Sequence, residues 1–250
     1  MKIIIGLLTL IGVVLTPVSL ISGEDEMKIG RLYKIKAHPG KSAEFGEALL
    51  KHIEWRREAN DPWSWWAWQV VNGDELGTMY FYSGEHAWSD LDAYEDFEGG
   101  DHFNATVGPL VAEASSMIDT VDEDISHWHP EPEKVQYISV IQWQLKPGAY
   151  WDFKEIVGKY HKLLRDNDHP GYYGFNWTVN GGAGDMVTLL IPYEDWADMA
   201  PPEETMQAML FRVLGKEEAM KLDKAFSKTI ASTNSMIVKF IPELSVVHEE

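Results

Sequence analysis

The feature that most constrains the fold is an internal repeat. Residues 29–91 can be laid on residues 137–199 without a gap, so that each position meets the one 108 places later. The matched residues include Pro39-Gly40 with Pro147-Gly148, Phe45 with Phe153, Arg57 with Arg165, Pro62 with Pro170, Val71-Asn72-Gly73 with Val179-Asn180-Gly181, and Trp88 with Trp196. Equal spacing of turns and core residues requires elements of equal length, so the comparison predicts two copies of one unit.

Beyond this window the offset grows to 119, because residues 116–118 match residues 235–237. The second copy therefore carries an insertion of eleven residues between Ala200 and Lys221. We expect its segment 201–215 to add helix and to cover one mouth of a cavity, since it is too apolar to lie free in water. The apolar residues there are Met206, Met209, Leu210, Phe211 and Val213.

Each copy shows the order β-α-β-β-α-β, which is that of a ferredoxin-like unit. In the first copy, apolar periodicity and turn residues predict strands at 29–36, 65–71, 78–82 and 117–125, a helix at 42–59 and a largely helical stretch at 85–114. In the second copy they predict strands at 137–145, 172–179, 186–191 and 236–241 and helices at 149–167 and 203–232. The units are expected to span 27–126 and 136–247, with a linker at 127–135.

Composition excludes several classes of function. The chain has 40 acidic and 21 basic residues and a formal net charge of −19, which repels nucleic acid because that partner needs clustered Lys and Arg. It has no cysteine, so disulfides, thiolate catalysis and Cys-ligated metals are excluded. Eleven tryptophans predict an aromatic-rich core or pocket.

Residues 1–22 are typical of a targeting signal. Lys2 precedes an apolar run from Ile3 to Val14, which ends at Pro17 before small residues at Ser22 and Gly23. We expect an export signal and a periplasmic or secreted protein. The alternative is an uncleaved anchor, because Ile3 to Ile21 is nearly long enough to span a bilayer.

The second predicted strand of the first copy carries the densest aromatic cluster. Alternation places Trp66, Trp68 and Val70 on one face, and the equivalent face of the second copy has Gly174, Asn176 and Thr178. The opposite face is apolar in both copies, which predicts a structural core. The bulky-to-small change on the first face predicts a cavity in the second copy, unless the tryptophans simply fill a barrel.

Polar side chains on the first helix of each copy are the candidate catalytic residues. His52 lies on the inward stripe, Tyr160 takes its place in the second copy, and His161 follows it. If these side chains line a pocket, we expect them to lie beside residues of the strands. If they are structural, we expect them to be hydrogen-bonded in a filled core. We expect a packing role for His52 and a pocket role for His161. The candidate pocket residues on the strands are Trp66, Trp68, Tyr80 and Asn176.

The Pro-Gly turn before helix one, the central hairpin and Trp88-Ser89-Asp90 at the start of helix two resemble the dimeric α/β-barrel superfamily. That group includes antibiotic-biosynthesis-monooxygenase-like, haem-degrading, stress-responsive and chlorite dismutase-related proteins. The resemblance implies an α+β fold in which the two ferredoxin-like units pair their sheets into one barrel within the chain. It also implies a haem ligand near His102 in the second helix, although the tryptophan of the preceding turn is replaced by Leu91.

These observations predict an exported protein that binds a small apolar or aromatic molecule between sheet and helices. Oxidation of that molecule without a cofactor or metal is one activity that such a pocket would allow, and whether the protein is an enzyme stays open. One alternative is a non-catalytic exported module that binds a ligand or a protein, and another is a haem protein. A homo-oligomer is compatible with the sequence.

Overall fold

The computed structural model describes residues 28–95, 97 and 99–248, so the predicted targeting signal lies outside the described residues. The strands are β1 Ile29–Ala37, β2 Trp66–Asn72, β3 Met79–His86, β4 Val111–Val121, β5 Tyr137–Leu145, β6 Gly174–Asn180, β7 Met186–Tyr193 and β8 Ile230–Phe240. The helices are α1 Ser42–Glu58, α2 Trp88–Tyr94, α3 Gly99–Thr106, α4 Tyr150–Asp166, α5 Met206–Leu214 and α6 Lys216–Thr229. None of these helices is both long enough and apolar enough to span a membrane.

The eight strands form one closed antiparallel barrel in the order β1-β3-β2-β8-β5-β7-β6-β4. Strands β1–β4, the first half, and β5–β8, the second half, each form a block with the same internal order. The blocks join at the β2–β8 and β4–β6 seams. Every strand therefore has two neighbours, and the barrel leaves no edge open to another chain.

The last strand of each half begins earlier than predicted. β4 starts at Val111, where it pairs with Ala37 of β1, and β8 starts at Ile230, where it pairs with Leu145 of β5. The first residues of both strands are exposed, so they lack the apolar alternation that marks a strand in sequence. The prediction of helix up to residue 114 was wrong for that reason, since ladder pairing with β1 decides the conformation.

Apolar residues fill three layers. One lies inside the barrel around Val70, Val140 and Val238, and the other two lie between the sheet and the helices of each half. Trp65 and Ala67 belong to the helix layer of the first half. Their exposed fractions are 4% and 0%, which confirms the predicted core face of β2.

The inserted segment forms α5, as predicted, and the Thr205 hydroxyl caps it by accepting from the Ala208 amide at 3.2 Å. It does not form the predicted lid over a cavity mouth. Met209 and Leu210 are buried in the same apolar layer as Phe153, so the helix completes the core of the second half.

Candidate functional site

The sheet separates the predicted site residues into two groups. Side chains alternate along β2, so Ala67 packs under the helices while Trp68 packs inside the barrel. The residues on the barrel side are Trp66, Trp68, Tyr80 and Asn176. The residues on the helix side are His52, His102, Tyr160 and His161. Because the sheet backbone lies between them, the two groups do not line one pocket.

His52 and His102 form the centre of the helix-side group in the first half. α1 buries His52 to an exposed fraction of 2%, and α3 brings His102 to it with 2.8 Å between the two Nδ1 atoms. Arg56, one helical turn after His52, donates from Nε to His52 Nε2 at 2.8 Å. The two histidines, predicted separately, thus belong to one cluster.

These hydrogen bonds assign the protons of the imidazoles. A guanidinium only donates, so Nε2 of His52 accepts from Arg56, and Nδ1 of His52 carries the proton that is donated to His102. The proton of a neutral His102 then lies on Nε2. Burial, followed by the charge of Arg56, lowers the pKa of His52 to about 3, so His52 is neutral near pH 7.

An ion pair holds Arg56 from its other side. Its Nη1 atom contacts Oδ2 of Asp61, whose side chain is fully buried, and donates to the Tyr94 hydroxyl at 2.8 Å. Tyr94 donates to Asp61 at 3.1 Å and accepts from the Trp65 indole N–H at 3.1 Å. Burial raises the pKa of Tyr94 to about 12. A continuous polar chain therefore runs from a buried carboxylate to the imidazole pair.

Aromatic rings border this polar chain. Trp55 stacks on His102 with 4.2 Å between ring centroids and 5° between ring planes. Trp63 stacks on His86 at 3.7 Å and on Tyr94 at 3.9 Å. Trp63 has an exposed fraction of 7%, so these rings pack against one another, and such stacking stabilises them beyond their buried area.

The equivalent layer of the second half is built differently. At the position of Arg56 it has Leu164, which is buried, and at the position of His102 it has Lys221, which is exposed. At the place of Arg56 the helix layer of the second half therefore packs without an ion pair, although elsewhere in that layer the buried Asp122 pairs with the partly exposed Lys154.

The two remaining candidates lie in that second layer. Tyr160 packs edge-on against Phe226, and burial raises its pKa to about 12. Nδ1 of His161 lies 3.1 Å from the Tyr173 hydroxyl, and the His161 side chain is partly exposed. The structure pairs His161 with Tyr173, the residue before β6, and leaves its predicted pocket role a prediction.

No protein-family model matches this sequence, and no curated protein is similar to it in sequence. Solved structures are similar to it in fold. An anthrone oxidase-like protein is 14% identical over 87% of this chain and 92% of its own, with a TM-score of 0.55. A candidate monooxygenase from Lactobacillus acidophilus is 9% identical over 86% of this chain and 94% of its own, with a TM-score of 0.53. A chlorite dismutase variant from Candidatus Nitrospira defluvii is 7% identical over 86% of this chain and 92% of its own, with a TM-score of 0.53.

The fold is similar to that of dimeric α/β-barrel structures. His102 as paired here does not fit the haem ligand that the resemblance implies. Its Nδ1 accepts from His52 and its Nε2 carries the proton, so neither nitrogen offers a lone pair to iron. Across residues 28–95, 97 and 99–248, no three His, Asp or Glu side chains are grouped as a metal site requires.

Sequence reasoning missed Arg56, Asp61 and Tyr94 as site residues. The available signal was Arg56, a charged residue four positions after His52 on the same apolar stripe of α1. Such a charge needs a buried partner. The identity of that partner depends on the turn after α1, where Asn60 has a φ of 53° and directs the chain back toward the helix.

Proposed function

We propose that this protein binds a small aromatic molecule on the helix side of its first half and oxidises it with molecular oxygen without a bound cofactor. The observation that supports this most is the polar chain from Asp61 through Arg56 and His52 to His102. The fold similarity to an anthrone oxidase-like protein and to a candidate monooxygenase agrees with this class of reaction.

A buried ion pair contributes less to the free energy of folding than its contacts suggest. Removing two charges from water costs several kcal/mol, and apolar residues of similar volume are often as stable or more so. The second half fills the equivalent layer around Leu164. Packing alone therefore does not require Arg56 and Asp61, and a role in chemistry accounts for them.

His102 supplies that chemistry through its Nε2–H group. Its side chain is partly exposed, and no hydrogen bond from the described residues engages Nε2. A neutral imidazole N–H polarises a carbonyl group and stabilises the oxygen of its enolate. Solvent water accepts the C–H proton when the enolate of an aryl ketone such as anthrone forms. The enolate adds O2, and return of the proton gives a hydroperoxide. This loses water: one oxygen atom becomes the new carbonyl oxygen, and the other leaves as water with the second hydrogen of that carbon. The substrate carbon supplies all the electrons, so no reductant is needed.

The test uses anthrone as the probe and the variant His102→Phe. The phenyl ring keeps the stacking on Trp55 and removes the N–H donor, so we expect anthrone oxidation to fall by on the order of a hundredfold. The thermal unfolding midpoint should change little. Oxygen uptake and the absorbance of anthraquinone measure the rate. Lys221→Ala, at the equivalent position of the second half, is the matched control and should keep it.

Three outcomes separate the alternatives. Equal rates in wild type, both variants and buffer would end the proposal of oxidation. Quenching of tryptophan fluorescence by anthrone without turnover would favour a non-catalytic binding module. A Soret band after addition of hemin, lost in His102→Phe, would favour a haem protein and a different proton arrangement at the imidazole pair.

We further propose that the two halves, residues 27–126 and 136–247, are copies of one ferredoxin-like unit. β1 and β5 both have 9 residues, α1 and α4 both have 17, and β4 and β8 both have 11. Two copies in one chain close the barrel without a second subunit. Any homo-oligomer would then form through outer surfaces.

Export is also a proposal, supported by the apolar segment at residues 1–22. We expect a bacterial host to release a protein whose N-terminus lies near Gly23, which N-terminal sequencing of the periplasmic or secreted fraction measures. Intact Met1 in a membrane fraction would instead support the anchor.

A further inference from the structure

A second polar cluster lies inside the barrel, on the other face of the sheet from His102. It consists of Gly30 of β1, Tyr82 of β3, Asp119 of β4 and Asn176 of β6. Gly30 lies opposite Asp119 in the β1–β4 ladder, and Asn176 Nδ2 donates to Oδ2 of Asp119 at 2.9 Å. A Cβ atom on Gly30 would overlap both the Tyr82 hydroxyl and Oδ1 of Asp119, so these two oxygens converge over the glycine.

The equivalent place of the second half is apolar. There Ile138 lies opposite Val238, as Gly30 lies opposite Asp119. The residues at the positions of Tyr82 and Asn176 are Leu190 and Trp68, and all four belong to the barrel core. Aliphatic and aromatic side chains can therefore fill this place in the barrel interior. The second half fills it in that way, and the first half has the polar cluster there instead.

Asp119 has an incomplete set of partners. It is 93% buried, since its exposed fraction is 7%, and its Oδ1 atom has no hydrogen-bond partner among the described residues. Burial raises its pKa to about 6, against smaller opposing effects of the Asn176 amide and a backbone N–H. The Tyr82 phenol stays neutral because burial raises its pKa, as do the charges of Asp119 and Glu85. Near pH 7 the cluster thus holds a buried anionic oxygen for which the described residues provide no counterion.

Irregular strand pairing surrounds this place. The register shifts between Ile29 and Arg31 where β1 meets β3, and between Ile118 and Asp119 where β4 meets β6. Bulges of this kind re-aim side chains and are frequent beside functional sites. Here they flank Gly30 and Asp119, and the missing side chain of Gly30 leaves the space that the Tyr82 hydroxyl and the unpaired Oδ1 of Asp119 occupy.

We propose that this cluster is a binding site for the protonated amine of a small alkylamine. An ammonium group supplies the positive charge and the donors that Oδ1 of Asp119 lacks, and the Tyr82 hydroxyl can accept from it. Leu32, two residues along β1 from Gly30 and on the same face, packs against the apolar barrel core, and an alkyl chain would contact it there. The net charge of −19 raises the local concentration of cations. A divalent metal would need several oxygen ligands, and one carboxylate does not provide them.

Butylammonium and 1-butanol test the proposal because they share an alkyl chain and differ in charge. At about pH 8, saturating butylammonium should raise the thermal unfolding midpoint by roughly 5 °C, and 1-butanol should not. At about pH 5 the carboxyl group is protonated, so the rise should disappear. Calorimetry in about 0.15 M salt suppresses attraction by the general negative charge.

Variants locate the effect. Asp119→Asn removes the charge and Gly30→Ala puts a methyl group where the oxygens converge, so both should lose the response to butylammonium. Asp124→Asn removes the same charge at an exposed position nearby and should retain it. His102→Phe should also retain it, which separates this site from the proposed oxidation site.

Isothermal titration with butylammonium at about pH 8 compares binding by wild type and the variants without unfolding the protein. A moderate loss of stability in a variant therefore does not affect the result. An unchanged response in Asp119→Asn, equal responses to both probes, or no response in wild type would overturn the proposal.

Discussion

Replacing Asp61 with alanine is expected to lower the free energy of unfolding by about 3–5 kcal/mol. The side chain is fully buried and holds three groups: the Arg56 guanidinium, the Tyr94 hydroxyl at 3.1 Å and the Trp63 amide at 3.0 Å. Alanine leaves a buried cation without its counterion and a buried amide without an acceptor. Breaking a buried pair from one side costs far more than the pair contributes, because the remaining charge stays out of water.

Urea unfolding followed by tryptophan fluorescence measures this loss. Asp166→Ala is the control, since Asp166 pairs with Lys162 at the surface, where both side chains are more than half exposed. That change should cost less than about 1 kcal/mol. Similar losses in the two variants would contradict the assignment of Asp61 as the anchor of the polar chain.

A second substitution sharpens the test. Arg56→Leu introduces the residue that the second half has at the equivalent position, Leu164. Added to Asp61→Ala, it removes the unpaired cation, so the double variant should be more stable than Asp61→Ala alone. It should also lose anthrone oxidation, because His52 then has no fixed proton arrangement.

Acid is expected to destabilise the protein through His52. Its pKa is about 3 in the folded state and near 6.5 when unfolded, so the unfolded chain takes up a proton first as pH falls. Stability that is complete above about pH 7 is therefore lost progressively below 6.5. Relative to His52→Asn, wild type should lose about 2 kcal/mol of unfolding free energy between about pH 7 and pH 4.5, after allowance for solvent screening.

Asp119 acts in the opposite direction. Burial raises its folded-state pKa to about 6, above the value of an unfolded chain, so the folded state takes up the proton first and gains stability as pH falls below about 6. Relative to Asp119→Asn, wild type should therefore become more stable on acidification. Urea unfolding of the three proteins across this pH range measures both contributions. Curves of the same slope for all three would contradict both assignments.

The order of elements was accessible from sequence because it depends on local and periodic signals. The constant offset predicted that β1 and β5, and α1 and α4, would have equal lengths, and they do. Pro39-Gly40 and the residues after it predicted where α1 begins. The first residues of β4 and β8 were not predicted as strand. They are exposed, so they lack the alternation of apolar residues that indicates a strand.

The sequence by itself determined which residues could carry chemistry on each element, because alternation along a strand and spacing along a helix are properties of a single segment. It identified His52 on the inner face of α1 and the opposite faces of Trp66 and Ala67 on β2. Only the tertiary structure decided what these side chains meet. His102 reaches His52 from 50 residues away, and Asn176 reaches Asp119 from 57 residues away. Such contacts depend on how the helices and the two sheet blocks pack. The periodic patterns along the sequence do not predict that packing.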